Sequence, residues 1–126
     1  MTAFQTALFD KADRALRSAA AAVGLGDSET AVNRSYYACF YAAQAALDAQ
    51  GERPRTHRGT HGRFRAHYVT TGLVSEQVGR TLPHAAQVRE RADYDAFAVT
   101  DLSAATDLLA DAERFVEAAR RVTAST

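Results

Sequence analysis

The sequence predicts an all-α protein, a single-domain antiparallel bundle of four to five helices, and three observations predict it. No stretch alternates apolar and polar residues over the length of a strand, no Asn-Gly or Asp-Gly pair marks a hairpin, and apolar residues recur at spacings of three and four between well-marked helix stops. A length of 126 residues supports one hydrophobic core, so one domain is expected over 1–126.

The first helix is expected to begin at Thr2, whose hydroxyl can cap while Gln5 reaches back in a capping box. It runs through Phe4, Leu8, Ala15, Leu16 and Ala19 to a stop at Gly24-Leu25-Gly26. Asp27 or Ser28 caps the second helix, Glu29 adds a favourable charge to its first turn, and Gly51 ends it before Pro54, after about six turns. The short connection forces these two helices antiparallel, and their alanine-rich faces let the axes approach closely. The segment from Glu52 to Thr71, rich in Arg, His, Gly and Thr, reads as a polar connector holding a short third helix around Gly62 to Val69. A fourth helix starts at Ser75 and is expected to be disturbed at Pro83, which lacks an amide proton and clashes with the preceding turn. The fifth repeats Leu102, Ala105, Leu109, Ala112, Val116 and Ala119, with Leu108 and Phe115 widening the stripe.

The second helix, AVNRSYYACFYAAQAAL from Ala31 to Leu47, places Arg34 among aromatics and alanines. Arginine is almost never fully buried without a partner, so Arg34 is exposed, paired or facing a cleft. It shares a side with Tyr41 and Ala45, while Tyr36, Phe40, Ala43 and Leu47 cover the other side, so the helix meets apolar neighbours on two faces. A carboxylate is the expected partner for Arg34, with Asp93 the candidate, and direct contact with whatever enters the cleft is the alternative.

Basic and acidic residues balance at 15 each, giving zero formal charge, so bulk charge argues against a general nucleic-acid binder and any such role must rest on a local patch. All the basic residues except Lys11 are arginine, which fits a coding bias as well as a function. Cys39, the only cysteine, sits between aromatics and reads as a packed thiol before a nucleophile. There is no apolar run of membrane-crossing length and no basic start followed by an apolar stretch, so a cytoplasmic location is expected.

From Ala85 to Asp95 the chain reads AAQVRERADYD, in which Arg89 and Asp93 are four apart and face the same way, with Arg91, Arg80 and Gln87 on the solvated side. A structural ion pair accounts for the two residues. With Tyr94 beside them, a guanidinium, a carboxylate and a phenol could also grip a phosphate, orient a ribose hydroxyl or accept a covalent modification. His57 and His61 would share a face if helical, but Gly59 and Gly62 interrupt them and no carboxylate sits alongside, so no metal is expected. Arg53, Arg55, Arg58, Arg63 and Arg65 make the same stretch either a basic surface for phosphates or a solvated connector. Acyl-transfer triads, glycine-rich phosphate loops and HExxH are all absent, so no cofactor is expected.

The succession NRSYYACFYAA, then Thr56-His57 with Gly59, Phe64 and Val69-Thr70-Thr71-Gly72, then RERADYD, resembles the HEPN domain family over nearly the whole chain. Its small stand-alone members resemble the group encoded beside a minimal nucleotidyltransferase in toxin–antitoxin systems. The resemblance implies a helical bundle and a homodimer. It also implies a toxin acting on RNA as a metal-independent endoribonuclease, regulated by a nucleotidyltransferase antitoxin. The family's site is an arginine and a histidine separated by four to six residues, and here Tyr94 follows Arg89 across four intervening residues, while Tyr41 follows Arg34 across six. Arg55 and His61 match the spacing but fall in the connector. Carried over residue by residue, the resemblance gives Arg89, Asp93 and Tyr94 as catalytic candidates. Asn33, Arg34, Tyr37, Tyr41 and His57 become candidates for binding RNA or nucleotide or supporting the cleft. Tyr94 also stands where a partner could add AMP. A phenol is a poor general base at neutral pH, so the alternative stays open of a non-catalytic HEPN subunit that binds nucleotide, RNA or protein.

Overall fold

The computed structural model describes residues 1–126 and is helical throughout. Its elements are α1 (Ala3–Gly24), α2 (Ser28–Asp48), α3 (His57–Phe64), α4 (Glu76–Gly79), α5 (Thr81–Tyr94) and α6 (Leu102–Ala124). A five-residue π-helical stretch, Arg65–Val69, continues α3.

Local chemistry sets the ends of the first two helices. The Thr2 hydroxyl accepts from Gln5 N while the Gln5 side chain accepts from Thr2 N, a reciprocal capping box. At the other end Gly26 takes φ 73°, and the amides of Gly26 and Asp27 turn back to the carbonyls of Val23 and Ala22. Asp27 then caps α2 by accepting from Thr30 N. Gly51 repeats the device at φ 77°, with its amide on Asp48 O and that of Glu52 on Leu47 O. Gln5 near the start of α1 donates to Asp48 at the end of α2 (3.0 Å), so the pair is antiparallel.

Helix α2 is the centre of the bundle, with twelve of its residues buried. It packs closely on α1, and both helices bury small residues, Ala12, Ala15, Ala19 and Ala22 in α1 and Ala31, Ala38, Ala42 and Ala45 in α2. Helix α6 closes the opposite side. Its Phe115 packs 5.0 Å from Phe64, and its Arg120 bonds Asp13 and covers Phe9. Burying large side chains such as Phe9, Leu47, Leu82 and Phe115 stabilises by about 1.5–3 kcal/mol each. Leu102, placed by periodicity in the α6 stripe, is instead 40% exposed at the helix start.

Two boundaries differ from the sequence expectation. Helix α3 begins at His57 and not near Gly62, because the Thr56 hydroxyl caps it by accepting from Gly59 N (2.9 Å). Gly59 suits that turn, since a Cβ there would lie 2.9 Å from Thr56 Oγ1. The fourth segment breaks at Arg80 and not at Pro83. Pro83 sits in the first turn of α5, where an amide has no intrahelical partner to lose. No helix is long and apolar enough to cross a membrane.

Candidate functional site

The site grows from one face of α2 and what α3 and α5 lay against it. Tyr36 is completely buried, and its hydroxyl lies 2.6 Å from His57 Nδ1 and 3.0 Å from His61 Nε2. The two histidines stand one turn apart on α3 and so reach the same phenol. The His57 ring stacks on Phe40 at 4.1 Å and 15°. The expectation that glycines would break this face is overturned: α3 runs through Gly59 and Gly62, and its cap holds the turn.

From α5, Arg89 places its Cζ 5.0 Å from the Tyr36 ring centroid and 5.7 Å from that of Tyr37. Its Nη1 donates to Asp93 at 3.0 Å, and its Nε is buried without a partner. From α2 itself, Arg34 lies 5.3 Å above Tyr37. Two guanidiniums therefore converge on one aromatic ring. Arg34 does not pair with Asp93 or any other carboxylate; both Nε and Nη2 donate to Asn33 Oδ1, at 3.0 and 2.9 Å. Arg89, one turn from Asp93 on the same helix, takes that carboxylate instead. The stripe continues to Tyr41, 6.0 Å from Tyr37 and covered by Lys11 Nζ at 5.1 Å.

Electrostatics follow from this packing. Burial pushes the Tyr36 phenol up to about 12, against the opposing pull of Arg89. Burial, then the charge of Arg89, lowers His57 below its ordinary value, and burial, then His57, lowers His61. Both imidazoles are accordingly neutral at pH 7. Burial raises the Cys39 thiol, which is fully enclosed, in keeping with a packed side chain.

The other predicted residues fall elsewhere. Tyr94 is 79% exposed and borders a shallow surface hollow with Gln87, Glu90, Arg91 and Asp95. Five positions on an α-helix turn it about 140° from Arg89, so Arg89 and Asp93 share a side that Tyr94 leaves. In the connector, Arg53 pairs with Asp48, Arg63 with Glu52 and Arg65 with Glu76, which leaves Arg55 and Arg58 without carboxylates. Glu52 also holds His67, and the Arg63 hydrogen bond, followed by that of His67, draws its carboxyl down to about 2. No three of His, Cys, Asp and Glu gather into a set able to hold a metal ion. Sequence reasoning missed Tyr36 and His61. The signal available was the spacing of His57 and His61, which becomes a common face once α3 starts at His57 under the Thr56 cap.

The fold and site define a helical bundle with a cluster of arginine, tyrosine and histidine gathered on its central helix. The chain belongs to the HEPN domain family, whose model matches residues 6–122. It is similar to a UPF0332 protein of Gloeobacter violaceus, 34% identical over 94 residues and 75% of each chain. It is also similar to a Methanocaldococcus jannaschii protein named "Putative toxin", 36% identical over 64 residues, covering 51% of this chain and 48% of that one. A second M. jannaschii protein of the same name is 28% identical over 89 residues, 71% of this chain and 60% of that one. The matched part thus spans three quarters of the first relative and about half of the second.

Proposed function

We propose that the protein is a HEPN toxin that binds RNA along the α2 stripe and cleaves it without a metal ion. The observation that carries this reading is the convergence of Arg34 and Arg89 on Tyr37 with Asp93 as the one carboxylate between them. That leaves an uncompensated positive charge over an aromatic floor, the combination that holds a phosphate and stacks a base. The relatives named as toxins support the biological setting. Within this reading Arg89 contacts the scissile phosphate, and Asp93 orients Arg89 through its carboxylate. Arg34 and Asn33 hold a neighbouring phosphate, and Tyr37 and Tyr41 stack. The half-exposed stripe meets a second copy in a homodimer. Tyr94, turned away from the cleft and open to solvent, accepts AMP from a nucleotidyltransferase antitoxin, with pyrophosphate released from ATP.

Expression of the chain alone in bacteria should arrest growth, and Arg89→Ala should relieve the arrest while the protein accumulates folded. The purified protein should degrade RNA in the presence of EDTA. Intact RNA after prolonged incubation at high protein concentration would refute the cleavage. RNA affinity persisting in that case, falling as salt rises, would leave the binding subunit as the better reading.

A further inference from the structure

We propose that His57 of α3 supplies the proton acceptor of the cleft, with Tyr36 and His61 as the pair that positions it. The inference rests on the RNA-cleaving reading above and places the acid–base group on α3, away from the arginine-bearing helix α5. Among the four histidines, His57 is the one whose ring both feels the charge of Arg89 and belongs to an exposed residue. His84 stands on α5 itself, but borders a different surface groove with Val88 and Arg91. His61 is more enclosed and His67 is taken up by Glu52.

The hydrogen bonds around Tyr36 constrain the tautomers. A phenol carries one proton, and two ring nitrogens lie within bonding distance of its oxygen, so it can donate to only one of them and must accept from the other. Two arrangements satisfy this, and in the one that leaves a base facing the RNA, Tyr36 donates to His61 Nε2 and the Nδ1–H of His57 donates to the phenol oxygen. The His57 proton is then on Nδ1, and Nε2, which makes no hydrogen bond within the protein, carries the free lone pair. Stacking on Phe40 fixes the plane of the ring. A base oriented by a hydrogen bond to its other nitrogen is the usual arrangement for proton abstraction. The lowered affinity of His57 for protons keeps it in the accepting form at neutral pH.

With RNA in the cleft, Nε2 of His57 takes the proton of a 2′-hydroxyl and the oxygen left behind forms a bond to the adjacent phosphorus. The bond from phosphorus to the 5′ oxygen breaks, and that oxygen takes a proton from solvent water while the imidazolium returns its own to solvent. The products are a 2′,3′-cyclic phosphate and a 5′-hydroxyl, and no co-reactant is consumed. Arg89 meets the charge that gathers on the phosphate oxygens.

The test uses the full chain and a fluorescent single-stranded RNA in EDTA. His57→Gln should cleave about a hundredfold or more slowly, with RNA affinity unchanged and only a modest drop in melting temperature, since the stack on Phe40 and the bond to Tyr36 are lost while the Thr56 cap is untouched. The wild-type rate should fall on the acid side with a midpoint below 6.5, the ordinary histidine value. The groups facing His57 are Tyr36 and Tyr37 from α2, His61 from α3, and Arg89 with its Asp93 from α5, and His61→Gln separates the contribution of the second imidazole to the profile. Nitrogen-15 NMR of the imidazoles at pH 7 should show His57 protonated on Nδ1 and bare on Nε2, a readout that does not depend on activity or on any variant folding. Cleavage by His57→Gln within threefold of wild type, or a His57 protonated on Nε2, overturns the assignment and leaves the RNA-cleaving reading standing. A wild-type protein that cleaves no RNA overturns both.

Discussion

The guanidinium carbon of Arg89 lies 5.0 Å from the ring centroid of Tyr36, and the hydroxyl of that same ring is held by two histidines. One buried tyrosine therefore joins α5 to α3 across α2, with a permanent charge on its face and neutral imidazoles at its edge. The link explains why burial dominates the Tyr36 phenol while Arg89 opposes it only in part.

Tyr36→Phe keeps the ring and removes the hydroxyl, leaving His57 Nδ1 and the more enclosed His61 Nε2 without their partner. An unsatisfied buried polar group costs about 1–3 kcal/mol. Urea unfolding should register a loss in that range, with the cost concentrated at His61 because His57 can turn to water.

Arg34→Ala removes a guanidinium bonded only to its neighbour Asn33 and resting on Tyr37. No carboxylate is stranded by the change, so stability should fall by no more than about 1 kcal/mol, the scale of one exposed cation–π contact. RNA affinity should weaken and its salt dependence should flatten by about one counterion's worth. A large drop in melting temperature would mean that Arg34 is a structural residue after all.

Gly79→Ala tests the seam between α4 and the π-helical stretch. A Cβ at Gly79 would overlap Val69 Cγ2 and lie 3.3 Å from Val69 Cγ1, and Val69 is itself buried. Overpacking of this kind costs about 1–3 kcal/mol, whereas an unstrained glycine-to-alanine change in a helix would stabilise it. Chemical denaturation gives the sign directly.

Stability should fall on both sides of neutral pH. His57 and His61 bind protons less readily folded than unfolded, so below 6.5 the unfolded chain takes up more protons and stability declines as pH falls. Tyr36 holds its proton more tightly folded, from 10.0 up to about 12, so stability declines again as pH rises through that window. Glu52, drawn down from 4.5 to about 2, adds a further loss only below 4.5. The buried Cys39 thiol, raised from 9.0, adds to the alkaline loss, so melting temperatures should show a plateau between 6.5 and 9.0, with an acid shoulder that shrinks in His57→Gln.

Features made by neighbours in sequence were legible there. The capping box at Thr2, the glycine stops at Gly26 and Gly51, the Arg89–Asp93 pair and most of the α6 stripe each depend on residues within a turn or two. The start of α3 was not, because Gly59 and Gly62 carry poor helix propensity and the cap at Thr56 with the packing of Phe64 outweighs it. The site was legible only in part. Arg89, Arg34, Tyr37 and His57 stood out by type, but Tyr36 meets its histidines across 21 and 25 residues, a separation no local pattern reports. Arg34 was assigned a carboxylate because a buried guanidinium ordinarily needs one; half-exposure and the adjacent Asn33 removed the need.

The alanine seam between α1 and α2 inverts the usual direction of mutational damage. A core of large side chains suffers most when they are trimmed, because cavities form; here Ala12, Ala15, Ala38 and Ala42 have almost nothing to trim. Enlarging any of them to valine or leucine would instead push the two axes apart. Since Arg34, Tyr36 and Tyr37 all ride on α2, such a change would reach the cleft as a displacement of its floor, far from the altered residue and with every cleft side chain still in place.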